Sequence, residues 1–114
     1  MNCIIIDDDP LSLRVVEEFV NRTEFLELKY TFNDAVEAIN TINVSEENID
    51  LIFLDIEMPE MSGIEFLNTV KDLPQVIIIS SQEKYALQAF DYDVVDYLLK
   101  PITFSRFYKA ASKA

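Results

Sequence analysis

Histidine and tryptophan are missing altogether from the 114-residue chain, and there is one cysteine, Cys3, and one glycine, Gly63. Without histidine there can be no Ser-His-Asp or Cys-His catalysis, no His-ligated zinc and no imidazole proton shuttle. A lone cysteine cannot form an internal disulfide, and no apolar run approaches the ~20 residues that a membrane helix needs. Nor does a Lys/Arg-flanked apolar stretch at the N-terminus read as a signal peptide, so a cytoplasmic protein without membrane contact is expected. Basic residues are scarce as well: 9 Lys and Arg stand against 21 Asp and Glu, a formal net charge of −12. The imbalance is local, because all the acids lie within residues 1–99 while residues 100–114 hold four basic side chains and no acid. A surface this acidic disfavours nonspecific nucleic-acid binding, and no direct DNA contact is expected from this chain.

What is present is a regular alternation. Short apolar runs at Ile4–Ile6, Leu51–Leu54 and Val76–Ile79 have too little polar interleaving for one wet face, so they read as strands buried on both sides, usually parallel. Leu28–Phe32 alternates and Val94–Leu99 is interrupted by Asp96, so both suit sheet edges. Between them, Leu13, Val16 and Val20, then Ala35, Ile39 and Ile42, then Ile64, Leu67 and Val70 recur at helical spacing. Asp9 before Pro10 is a helix start, and Ser62 with Glu65 forms a capping box. Lys84–Phe90 reads as a short fourth helix, and Phe104, Phe107, Tyr108 and Ala111 give an amphipathic fifth. Five β-α pairs predict an α/β fold: a doubly wound, five-stranded parallel sheet of order 2-1-3-4-5 with helices on both faces. In that order the winding reverses between strands 1 and 3, and ligands bind outside the carboxyl ends of the strands there.

That crevice directs attention to the residues after Ile6 and Leu54. Asp7, Asp8 and Asp9 follow the first, and Asp55 follows the second. Asp9 alone reads as a helix cap. Carboxylates crowded to about 4 Å repel by roughly 4 kcal/mol per pair at an effective dielectric near 20, so the group calls for a counter-cation or a shared proton. Hard oxygen donors without His or Cys favour Mg²⁺ or Mn²⁺. Ser80 and Ser81 after strand 4 and Lys100 after strand 5 open onto the same rim.

These residues resemble a family. Ile-Asp-Asp-Asp-Pro at 6–10, Leu-Asp-Ile-Glu-Met-Pro-Glu-Met-Ser-Gly at 54–63, Ser80, and Asp-Tyr-Leu-Leu-Lys-Pro at 96–101 look like a response-regulator receiver domain of CheY-like fold, over the whole chain. The resemblance implies that Asp55 is the phosphoacceptor, attacking the phosphohistidine of a sensor histidine kinase or phosphotransfer protein. It implies Mg²⁺ held by Asp8, Asp55 and the backbone carbonyl of Glu57, with Asp7 acting through a water. Ser80 and Lys100 would contact the phosphoryl oxygens, and Tyr97 would be the aromatic partner of that switch. Glu57 and Gln82 would modulate hydrolysis of the acyl phosphate, and Lys100-Pro101 is a cis-peptide candidate.

Lys84-Tyr85-Ala86-Leu87-Gln88-Ala89-Phe90 and Val95–Ile102 most resemble receivers of LytTR-type regulators. The domain is expected to span 1–114, with any C-terminal effector outside the chain and any DNA contact made there. A homodimer formed on phosphorylation through the helix 4, strand 5 and helix 5 face is a further expectation. Two rivals stand beside this reading. A haloacid-dehalogenase-like phosphatase shares Asp7-x-Asp9, a later Ser and a later Lys, but needs acids after the lysine, and residues 101–114 have none. A receiver-like interaction module that is never phosphorylated would not require every acceptor position to be filled.

Overall fold

The computed structural model describes all residues, 1–114. The chain runs β1 (Asn2–Ile6), α1 (Pro10–Asn21), β2 (Glu27–Phe32), α2 (Ala35–Val44), β3 (Leu51–Leu54), α3 (Gly63–Thr69), β4 (Gln75–Ser80), a 3₁₀ turn (Glu83–Tyr85), α4 (Ala86–Phe90), β5 (Asp96–Leu99) and α5 (Phe104–Ser112). The strands form one parallel sheet in the order β2-β1-β3-β4-β5.

Strand residues alternate between the two faces of the sheet, and this divides the core in two. Ile4, Ile6, Ile52, Leu54 and Ile78 pack with Ala35, Ala38, Phe66, Leu67 and Ala89 under α2, α3 and α4. Cys3, Ile5, Phe53, Ile77 and Ile79 pack with Val16, Val20, Phe107, Ala110 and Ala111 under α1 and α5. The aromatic ring of Phe107 stacks on Phe53 at 5.0 Å and meets Phe19 of α1 at 5.5 Å, fixing α5 against both α1 and the sheet. Cys3 is fully buried, and burial pushes its thiol up to about 12, so it is an inert core residue.

Register sets the height of the functional rim. Ile6 pairs with Leu54 and Leu54 with Ile78, so the backbones leave β1 and β3 at the same level and Asp7 and Asp55 emerge side by side. The predicted caps are in place: the Asp9 carboxylate accepts from Leu11 N–H, and Ser62 and Glu65 bond reciprocally. Strands β1, β2 and β4 extend one or two residues beyond the apolar runs, and two larger differences lie before and at β5. The fourth helix is split into a 3₁₀ turn and a five-residue α4, neither with a side-chain N-cap, and its sequence buries only Ala89. The last strand begins at Asp96 rather than Val94, because Val94 turns into the core beneath the α4–β5 connection.

Candidate functional site: an acidic rim at the strand ends

Asp7 and Asp55 are 3% and 5% exposed, whereas Asp8 points to solvent. One carboxylate oxygen from each of Asp7, Asp8 and Asp55 lies within 4.8 Å of the others. Asp7 is oriented from two sides: one oxygen accepts from Asp9 N–H at 2.9 Å, and the other lies 3.2 Å from Lys100 Nζ. The same ammonium is 3.7 Å from Asp55. One cation therefore serves the two buried acids, and Asp8 has no basic partner. The Asp55 carboxyl is pushed up to about 7, by burial first and then by the charge of Asp7, with Lys100 opposing and Asp8 adding to the rise. An all-oxygen donor set with an unmet demand for positive charge fits a hard divalent cation.

The loop after β3 reaches this rim through close packing at the only glycine. A Cβ on Gly63 would stand 2.4 Å from the Asp55 carbonyl oxygen and 2.8 Å from Ile56 Cα, so the start of α3 can press on the Asp55 backbone only without a side chain. Gly63 N–H also donates to the Ile56 carbonyl at 2.7 Å. Its φ is not positive; the need is for space. Glu57 is exposed in that loop, beside a groove of about 310 Å³ shared with Ser62, Glu65, Tyr85 and Gln88.

Ser80 is fully buried at the end of β4. Its hydroxyl is engaged with its own loop, accepting from Gln82 N–H at 3.0 Å and facing the Gln82 carbonyl at 3.5 Å. The Tyr97 hydroxyl donates to that same carbonyl from β5. Lys100 N–H donates to the Ser80 carbonyl at 2.8 Å, which ties the rim ends of β4 and β5 together, and the Lys100–Pro101 peptide is cis. Asp7, Asp8, Asp55 and Lys100 thus gather at the strand ends, Ser80, Gln82 and Tyr97 are bonded to one another at the ends of β4 and β5, and Asp9 serves as the α1 cap.

A second charged cluster escaped sequence reading. Asp96, 7% exposed, accepts both Arg106 guanidinium N–H groups at 2.8 Å, the Lys113 ammonium at 2.6 Å and Tyr97 N–H at 2.8 Å. Arg106 above all holds its carboxyl well below the usual carboxylate range. The only sequence signal was a carboxylate inside an apolar strand.

The family described as the response regulator receiver domain matches residues 3–112. The chain belongs to the response-regulator receiver family. This receiver is 32% identical over 115 residues to an uncharacterized response regulatory protein of Vibrio cholerae, covering 99% of the chain and 48% of that relative. It is 32% identical over 124 residues to the sensory transduction protein LytR of Staphylococcus epidermidis, covering 99% of the chain and 45% of that relative. The response regulatory domain of mrkE from Klebsiella pneumoniae superposes with a TM-score of 0.89 at 26% identity, covering 99% of this receiver and 93% of that domain. The chain thus spans about half the length of these two full-length relatives. Response regulators belong to two-component signalling, and their receivers bind Mg²⁺ at an acidic pocket of the kind formed here by Asp7, Asp8 and Asp55. No helix is long and apolar enough to cross a membrane.

Proposed function

We propose that this receiver accepts a phosphoryl group on Asp55 from the phosphohistidine of a sensor kinase or phosphotransfer protein, in the cytoplasm. The observation that carries the reading is the buried Asp55 carboxylate, clustered with Asp7 and Asp8 and within reach of Lys100 at the crevice where the winding reverses. A carboxylate oxygen of Asp55 attacks phosphorus, the phosphorus–nitrogen bond breaks, and the imidazole nitrogen leaves with the electron pair. Asp8, Asp55 and the Glu57 carbonyl would hold Mg²⁺, or Mn²⁺, with Asp7 placing a coordinated water. When bound, the cation would keep Asp55 anionic and offset charge on the transferring oxygens. Lys100 pairs with one phosphoryl oxygen, and Ser80 Oγ turns from the Gln82 carbonyl to donate to another. Glu57 and Gln82 flank the acyl phosphate and set the access of water.

The partner finds a surface beside this site. A cleft of about 230 Å³ lined by Leu11, Ser12, Val15, Lys100 and Ile102 adjoins the acceptor, and Leu11 is 73% exposed. It suits the apolar face of a histidine-bearing helix. On α4 and β5, Leu87, Phe90 and Leu99 are exposed, and the acids that follow α4, Asp91 and Asp93, are exposed as well. This α4-β5-α5 face is the readout surface and, on phosphorylation, the place for a second copy. In longer chains of the LytTR type it controls a DNA-binding output.

The test is incubation with a small phosphodonor and Mg²⁺, read by intact mass and peptide mapping. One phosphoryl group on Asp55, absent from Asp55→Asn, is expected. Labelling that persists in Asp55→Asn would defeat the assignment, and sustained turnover of a generic phosphate ester would favour the phosphatase chemistry instead.

A further inference from the structure

The two helices of the readout face are held by different means. α5 carries a side-chain N-cap from Thr103, buries Phe107, Ala110 and Ala111, and is joined to β5 through the buried Asp96 carboxylate, which Arg106 and Lys113 grip from opposite ends of the helix. The segment before β5 has no comparable anchor. Its 3₁₀ turn and α4 lack side-chain caps, Ala89 is their one buried residue, and Leu87 is 86% exposed. Side-chain bonds to the start of this segment converge on the backbone of one residue, Gln82, and come from Ser80 and Tyr97.

Resting on the phosphoacceptor reading above, we propose that Asp96 is a positioning residue that locks α5 to β5, so that phosphorylation rearranges only residues 82–93 and α5 stays as a fixed platform. When Ser80 Oγ turns to a phosphoryl oxygen, Gln82 N–H loses its acceptor and the Gln82 carbonyl keeps the Tyr97 hydroxyl alone. The weakly anchored segment then repacks. β5 also bears Tyr97 and leads directly into Lys100, so the same event pulls on α5 through β5. A bidentate Arg106 fork with a second cation on the same carboxylate resists that pull, since sliding α5 would strip a buried charge of its partners.

The experiment is hydrogen exchange on the intact chain with and without beryllofluoride and Mg²⁺, with fluorine NMR of the same samples reporting the bound mimic. Exchange in residues 82–93 should change by about fivefold or more on binding, while residues 104–112 change by less than about 1.5-fold. In Asp96→Asn the α5 peptides should become responsive, with a change of about threefold or more on binding the same mimic. A residue that merely stabilises the fold would raise exchange in α5 equally with and without the mimic, and that result overturns the proposal. So does an α5 response in the wild type as large as that of α4. Should Asp96→Asn not fold, Arg106→Lys, which keeps the charge and loses the fork, serves in its place under the same criteria. Absence of bound fluoride would instead overturn the phosphoacceptor reading, and this inference with it.

Discussion

Two carboxylates in this receiver are almost equally hidden, Asp55 at 5% and Asp96 at 7% exposure, and they sit in opposite electrical surroundings. Asp55 lies at the outgoing end of a central strand, facing two acids and one shared lysine. Asp96 opens an edge strand and faces a guanidinium and an ammonium of its own. Burial alone therefore says little about what a carboxylate does. Asp96 is complete as it stands and contributes to the fold, whereas Asp55 is held at the cost of stability and awaits positive charge, the condition expected at a reactive site.

Removing each group should separate the two cases in sign as well as size. Asp96→Ala leaves Arg106 and Lys113 without their anion. Because both cations are about half exposed, the expected loss is near the low end for a broken ion pair, about 3 kcal/mol by urea denaturation. Asp55→Asn should act the other way and stabilise the metal-free domain by about 2 kcal/mol at pH 8, because it deletes a charge that burial and Asp7 oppose. A destabilised Asp55→Asn would erase the contrast.

The pH dependence sharpens it further. Asp55 has a folded value above its unfolded one, so its contribution to stability is present below about pH 4 and is lost as pH rises towards 7. Asp96 has a folded value below its unfolded one, so its contribution is complete at neutral pH and fades only as pH falls below about 4. Saturating Mg²⁺ should consequently raise the melting temperature by about 5 °C at pH 8 and by much less at pH 5. Asp8→Asn should remove most of that gain; an unchanged gain would count against Asp8 as a ligand.

The contrast also marks what could be read in the sequence. The central strands were legible because Ile4–Ile6, Leu51–Leu54 and Val76–Ile79 are continuous apolar runs that only a doubly covered sheet accommodates. Asp7, Asp8, Asp55 and Lys100 could be grouped because strand order and the winding reversal bring strand ends together whatever the side chains do. The grip on Asp96 was hidden, since its partners lie 10 and 17 residues onward and meet it only once α5 packs on β5. The break in the fourth helix was hidden for a related reason: Lys84–Phe90 has helical composition, but nothing caps it and little of it is buried. Gly63 was visible as part of a motif, while its reason, the approach of α3 to the Asp55 carbonyl, is a matter of distance.

The most direct test of the incomplete-charge account is a carbon-13 titration of the Asp55 side-chain carboxyl with and without Mg²⁺. A midpoint near 7 without divalent cation, moving sharply downward when Mg²⁺ is added, is the expected result. A midpoint in the ordinary carboxylate range that Mg²⁺ leaves unmoved would contradict it.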